Sequence, residues 1–222
     1  MKSMLPFSVK RGSIVYPDAE RLAVAAAAIV ADAVRAPRPL RLVLAGGTTP
    51  LRCYALLAAM KLPWGRVAVL FGDERCLPAD HPDTNFNLAD GSLLRTARPA
   101  SVHRIPGELG PDEAAAAYEP IVSAAPLDFV LLGIGTDGHT ASLFPDNDAL
   151  RASGWVVGVR NATKPPPERV SVTLRALRGA KRVLILAAGA DKKDAVRKAL
   201  AGELPAGMIE QAEFLITADA AP

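Results

Sequence analysis

The sequence predicts an α/β fold, a mostly parallel sheet covered by helices on both faces. Short apolar runs alternate with helix-like runs along almost the whole chain, and several of those runs are apolar on both faces. Strands inside a parallel sheet need that character, and the alternation implies α/β layers joined by right-handed crossovers. The runs at 40–45, 67–71, 129–132, 155–159, 170–174, 182–187 and 214–217 are read as strands. Helix starts fall between them. Asp18 precedes 19–34 as an N-cap. Thr49 caps 51–60, with Pro50 at the first helical position. Pro111 and Asp112 open 113–122, and Asp191 opens 192–200. Together these elements describe a three-layer, Rossmann-like sheet in one domain over residues 1–222. There is no internal repeat or low-complexity linker, and Pro165-Pro166-Pro167 is a stiff extended segment too short to separate domains.

Composition narrows the function classes. Of the 222 residues, 50% are hydrophobic and 22% charged, which supplies a core and a polar surface and excludes a disordered or fibrous chain. No apolar run approaches the roughly 18 to 20 residues that span a bilayer, and the first twelve residues lack the pattern of a signal peptide. Cys53 and Cys76 cannot build a disulfide framework or a four-cysteine metal site, so a cytoplasmic location is expected. The net charge of +3 is scattered and aromatics are only 5%, unlike the clustered basic face with stacking rings that binds nucleic acid. Mild basicity is compatible with a small anionic ligand.

Three polar loops each follow a strand directly: Gly46-Gly47-Thr48-Thr49-Pro50, Gly72-Asp73-Glu74-Arg75, and Gly133-Ile134-Gly135-Thr136-Asp137-Gly138-His139-Thr140. In open α/β sheets, ligands bind beyond the carboxyl ends of the strands, so these loops are placed to converge. The first has glycines that can turn N–H groups outward ahead of a helix N-terminus, an arrangement suited to phosphate. It also reads as an ordinary strand-to-helix turn, and it is no Walker A loop. The third contains G-x-G-x-x-G, but Pro145 interrupts the helix that a dinucleotide site needs, and no acid follows strand 155–159. Within it, Asp137 can accept the Nδ1–H of His139 and leave Nε2 free as a base; the alternative is a loop histidine beside a turn-stabilising aspartate. In the second loop, Arg75 suits an oxyanion or carboxylate with acids orienting it, or else belongs to a surface salt-bridge cluster. Cys76 reads as packing rather than a nucleophile, His81 and His103 as surface or strand-end residues, and Ser142 lacks a nucleophile elbow. No metal-ligand spacing is present. Arg169 and Lys192, taken alone, read as solvated charges.

Taken jointly, these segments resemble a known family. The 46–50 loop, Gly72-Asp73-Glu74-Arg75-Cys76-Leu77-Pro78 with Asn85, and above all the run from Gly133 to Pro145 are similar to signatures of the 6-phosphogluconolactonases. Lys164-Pro165-Pro166-Pro167-Glu168-Arg169-Val170 and Gly189-Ala190-Asp191-Lys192 are similar to downstream segments of the family. The related glucosamine-6-phosphate deaminases share Asp73-Glu74 and Asp137-Gly138-His139. They typically carry Tyr where Arg75 stands, however, and Ile-Ala-Phe-Asn-Glu where 140–144 stands. Lys193, where a small residue often follows the family lysine, is a minor departure. The resemblance implies hydrolysis of 6-phospho-D-glucono-1,5-lactone to 6-phosphogluconate in the oxidative pentose phosphate pathway, without metal or cofactor. It assigns His139 as the base on water and Asp137 as its orienter; the catalytic groups Arg75 and Asp73 would respectively hold the sugar acid end or the developing oxyanion, and position hydroxyls or Arg75 itself. Gly46, Gly47, Thr48, Arg169 and Lys192 would hold the phosphate. The expected partner is the sugar-phosphate lactone, with no nucleic acid or membrane, and the enzyme would act as a monomer or homodimer. An amino-sugar-phosphate isomerase or deaminase is the alternative on the same scaffold.

Overall fold

The computed structural model describes residues 8–9 and 12–222 of the chain. Its strands are β1 (Ser8–Val9), β2 (Ser13–Tyr16), β3 (Leu40–Leu44), β4 (Val67–Phe71), β5 (Asp73–Arg75), β6 (Ser101–His103), β7 (Phe129–Gly133), β8 (Val156–Val159), β9 (Arg169–Val172), β10 (Val183–Ala187) and β11 (Glu213–Thr217). The helices are α1 (Ala19–Arg35), α2 (Leu51–Ala59), α3 (Asn85–Ala89), which runs through a π-turn into α4 (Arg95–Ala97), α5 (Pro111–Ser123), α6 (Leu174–Arg178) and α7 (Lys193–Leu200).

The main sheet has the order β1-β2-β11-β10-β7-β3-β4-β6, parallel throughout except for β1 at one edge. From β3 the chain builds outward through β4 to β6; from β7 it builds the other way through β10 to β11. The order therefore reverses between β3 and β7, whose pairing sets Leu42 opposite Phe129 and Val43 opposite Val130. Loops leaving the carboxyl ends of two such strands diverge and open a crevice. The central strands are largely buried on both faces, with every residue of β10 inaccessible, as its uniformly apolar sequence requires; Arg41 is the charged, partly exposed residue of β3.

Helices flank this sheet. α1 buries Leu22, Ala26 and Val30 together with Ala23, Ala27, Ala31 and Val34, a stripe at spacings of three and four that packs on α2 and toward β11. The Asp18 carboxylate accepts the Arg21 N–H at 2.8 Å and caps it, as expected. The cap of α2 differs from expectation. Pro50 holds the N-cap position and the Thr49 hydroxyl accepts no capping N–H, because the chain is already turning at Thr48, whose carbonyl accepts the Leu51 N–H. α5 starts at Pro111, two residues earlier than read, and α7 starts at Lys193 after a 3₁₀ turn that contains Asp191. No helix among the described residues is long and apolar enough to cross a membrane.

The expectation that 155–159 and 170–174 join the parallel sheet is corrected. β8 and β9 form a separate antiparallel sheet with β5, in the order β5-β9-β8. The chain leaves β4 through Gly72, whose carbonyl accepts the Val172 N–H, and enters β5 at once. The Asp-Glu-Arg triplet expected as a loop is therefore a short strand. Its register sets Asp73 opposite Ser171 and Arg75 opposite Arg169, so two basic residues far apart in sequence become neighbours. The edge strands β1 and β6, the short strand β2 beside β1, and α3, α4 and α6 were not foreseen from the sequence.

Two buried tyrosines fix the strand ends from which the polar loops depart. The Tyr54 hydroxyl on α2 accepts the Ala45 N–H at 2.9 Å and donates to the Ala45 carbonyl at 2.7 Å, just beyond β3. On α5, the Tyr118 hydroxyl accepts the Phe71 N–H at 2.9 Å at the end of β4. Removing the Tyr54 hydroxyl strands a buried donor and acceptor together. Tyr54→Phe should therefore lower unfolding free energy by about 1–3 kcal/mol in chemical denaturation, with an unchanged denaturant slope. A loss below a few tenths would mean that Ala45 finds other partners.

Candidate active site

The crevice at the strand-order reversal is a cleft of about 450 Å³. Its lining includes Gly46, Gly47 and Thr48 after β3, Asp73 and Arg75 from β5, and His139 after β7. Arg169 from β9 and Lys192 after β10 complete the set. Every binding or catalytic residue expected from the sequence, apart from Asp137, faces this one space. Asp137 lies directly behind His139.

Gly46 and Gly47 each meet a specific demand. A side chain at Gly46 would place its Cβ 1.9 Å from Asn85 Oδ1, so the turn closes against Asn85 only because Gly46 has none. Gly47 has φ +84°, a left-handed conformation natural to glycine. Among the described residues, no protein acceptor occupies the N–H groups of Gly46, Gly47 or Thr48. A row of unpaired backbone donors ahead of a helix suits an anion.

The loop after β7 is built around its own glycines. The Gly135 N–H donates to the His139 carbonyl at 2.9 Å, and the Gly138 N–H to the Gly135 carbonyl at 3.0 Å. The loop thus turns back on itself and opens no dinucleotide-type helix. The side chains of Asp137 and His139 fold over Gly135, where a Cβ would come within 2.1 Å of His139 Nδ1. Asp137 Oδ1 accepts from His139 Nδ1 at 2.5 Å, and Oδ2 accepts from Thr163 Oγ1 at 3.2 Å. Burial works to raise the Asp137 carboxyl. It is nevertheless held well below the usual range by the His139 hydrogen bond and charge, the His139 N–H and the nearby Lys164 charge. An ionised Asp137 fixes the proton on Nδ1 and leaves the Nε2 lone pair free. The imidazole lies on the Phe144 ring with centroids 4.4 Å apart, and the Arg169 guanidinium sits 5.4 Å from the same ring.

Asp73 is buried and held from two sides: Ser142 Oγ donates to Oδ2 at 2.5 Å, and Asn85 Nδ2 donates to Oδ1 at 3.0 Å. It does not pair with Arg75. Arg75 instead donates through Nη1 to the Asp83 carbonyl. The Glu74 carboxylate, buried beside it, accepts the backbone N–H groups of Arg75, Asn85 and Phe86. Burial pushes the Glu74 carboxyl up to about 7 even against those three donors. Glu74 thus ties the start of α3 to β5 and sets Asn85 against Asp73.

Arg169 is also buried. Its Nε donates to the Pro166 carbonyl and its Nη2 to those of Lys164 and Pro165, so it clamps the 164–166 strap beside the cleft. Lys192 pairs with Asp191 at 3.2 Å, its side chain only 18% exposed. Arg75, Lys164, Arg169 and Lys192 face Asp73 and Asp191 across the cleft, a positive balance that favours an anionic ligand. Among the described residues no cluster of His, Cys, Asp and Glu could hold a metal ion.

The residue-by-residue reading of the sequence left Asn85, Lys164 and Ser142 out of the site. Asn85 entered only as part of a signature, and its position just after the Thr84 N-cap was the available signal. Ser142 has no nucleophile elbow around it, and its hydroxyl serves instead as an anchor for Asp73. Gly135→Ala should break the Asp137–His139 contact. The strongly downfield Nδ1 proton expected of so short a hydrogen bond should then vanish from the proton NMR spectrum while the fold persists; an unchanged resonance would show that the loop tolerates a Cβ there.

Comparison with known proteins follows the same lines. Residues 17–217 match the profile of the family described as glucosamine-6-phosphate isomerases/6-phosphogluconolactonase. The 6-phosphogluconolactonase of Mycobacterium leprae is 40% identical over 194 residues, covering 79% of this chain and 78% of that one. Among solved structures, the Thermotoga maritima 6-phosphogluconolactonase superposes with a TM-score of 0.83 at 30% identity, covering 92% of this chain and 98% of that one. A monomeric glucosamine-6-phosphate deaminase superposes with a TM-score of 0.81 at 25% identity, covering 94% and 98%. The chain belongs to the glucosamine-6-phosphate isomerase/6-phosphogluconolactonase family.

Proposed function

We propose that the protein hydrolyses 6-phospho-D-glucono-1,5-lactone to 6-phosphogluconate, the second step of the oxidative pentose phosphate pathway, using water activated by His139. The observation that carries this reading is the Asp137–His139 pair, 2.5 Å apart, at the wall of a cleft that also presents the 46–48 turn and Lys192. A base and an anion cradle share one space. A lactone is an activated ester, so a positioned water, a base and groups that stabilise an oxyanion suffice for its hydrolysis. His139 Nε2 takes a proton as the water oxygen adds to C1, and the carbonyl oxygen becomes an oxyanion. Collapse breaks the bond from C1 to the ring oxygen, which receives that proton, and the new carboxylic acid ionises. The phosphate lies against the N–H groups of 46–48 with Lys192 and Arg169, while Asp73 and Arg75 orient the sugar.

The segment at 140–144 favours the lactonase over a deaminase on this scaffold. Ser142 anchors Asp73, and Phe144 supports both His139 and Arg169. These are the positions at which deaminase loops read differently. The 25% identical deaminase neighbour makes the opposite outcome worth measuring.

A lactone-hydrolysis assay on freshly made substrate, corrected for spontaneous ring opening, tests the reading. Rapid acid release is expected; ammonia release from glucosamine 6-phosphate without lactone turnover would overturn it. His139→Ala should lower kcat by about 10²–10⁴-fold, the range for loss of a general base, and near-normal turnover would remove His139 from that role. Lys192→Met should weaken phosphorylated substrate by about 1.5–3 kcal/mol, seen in KM, and hardly affect a lactone lacking phosphate. Equal losses on both would make Lys192 structural support.

A further inference from the structure

The strap at 163–167 crosses beside the catalytic pair, and the lactonase reading gives its lysine no part. Arg169 clamps the strap from below through the carbonyls of Lys164, Pro165 and Pro166. Side chains tie its leading end to the loop that carries His139. Thr163 Oγ1 donates to Asp137 Oδ2 at 3.2 Å, and Lys164 Nζ donates to Thr136 Oγ1 at 3.2 Å. Lys164 lines the cleft, and its charge helps to hold the Asp137 carboxyl low. Two of the cleft's other cations are also anchored to main-chain carbonyls: Arg169 to those of the strap, and Arg75 to that of Asp83. Lys192 lies on the loop after β10, paired with Asp191. The Lys164 ammonium is the cation tethered to the His139 loop itself, and its only hydrogen bond among the described residues is to a hydroxyl that a ligand oxygen can displace.

We propose that Lys164 is a further catalytic residue, which donates from Nζ to the lactone carbonyl oxygen as it becomes an oxyanion and then to the product carboxylate. The proposal rests on the lactonase reading and assigns the two ends of the substrate to different cations: phosphate to Lys192 and Arg169 with the 46–48 turn, the reacting carbonyl to Lys164. A fixed cation at the carbonyl end acts mainly on the state in which charge has developed, so its loss appears in kcat.

The test compares wild type, Lys164→Met and Lys164→Arg for kcat, KM and competitive inhibition by inorganic phosphate and by 6-phosphogluconate. K164M should lower kcat by roughly 10²-fold, the scale of one lost oxyanion donor. It should weaken 6-phosphogluconate inhibition and leave inorganic phosphate inhibition as in wild type. K164R, which keeps the charge, should recover most of kcat. Three results would overturn the assignment: K164M turning over within twofold of wild type, K164M weakening inorganic phosphate as much as 6-phosphogluconate, or K164R as impaired as K164M. Absence of turnover in wild type would overturn the lactonase reading, and this assignment with it; wild-type turnover with an indifferent K164M would overturn this assignment alone.

Discussion

The hydrogen bond between Asp137 and His139 is the constraint around which the site is arranged. It exists because the loop after β7 doubles back, with the Gly135 N–H on the His139 carbonyl, and because Gly135 has no side chain in the space the imidazole fills. Phe144 supports the ring from one face, and Thr163 takes the second oxygen of Asp137. A carboxylate so engaged stays ionised, and an ionised carboxylate on Nδ1 leaves the distal nitrogen as a base. The proposed chemistry thus depends on backbone geometry before it depends on any ligand.

That loop reaches the cleft because of the sheet order. β3 and β7 are adjacent although the chain builds away from them in opposite directions, so the 46–48 turn and the 134–140 loop leave from neighbouring strand ends. The small sheet adds the third wall. Its antiparallel register sets Arg75 opposite Arg169 and Asp73 opposite Ser171, and Glu74 between them ties the start of α3 down by three backbone N–H groups. Tyr54 and Tyr118 hold the backbone at the ends of β3 and β4 where the loops depart. Buried hydrogen bonds hold the base of the crevice, and its polar lining is supplied from separate elements.

The parts legible in the sequence were those with a local cause. The run 183–187 is apolar on both faces because both faces are buried, and Asp18 caps α1 through a contact three residues away. The glycine loops were legible because turn geometry is written in residue type. β5 was not: a charged Asp-Glu-Arg triplet becomes a strand only because β9 lies alongside it. For the same reason β8 and β9 read as members of the main sheet, since an apolar run does not state which partner it pairs with. Asn85, Ser142 and Lys164 carry their roles through neighbours many residues distant, Asp73 for the first two and Thr136 for the third. A single sequence does not display such contacts.

A crystal structure of the protein with 6-phosphogluconate bound tests the proposed arrangement. One orientation is expected, with phosphate oxygens on the N–H groups of Gly46, Gly47 and Thr48 beside Lys192, and the carboxylate within hydrogen-bond reach of His139 Nε2. A product bound the other way round, or outside this cleft with His139 facing only solvent, would contradict it.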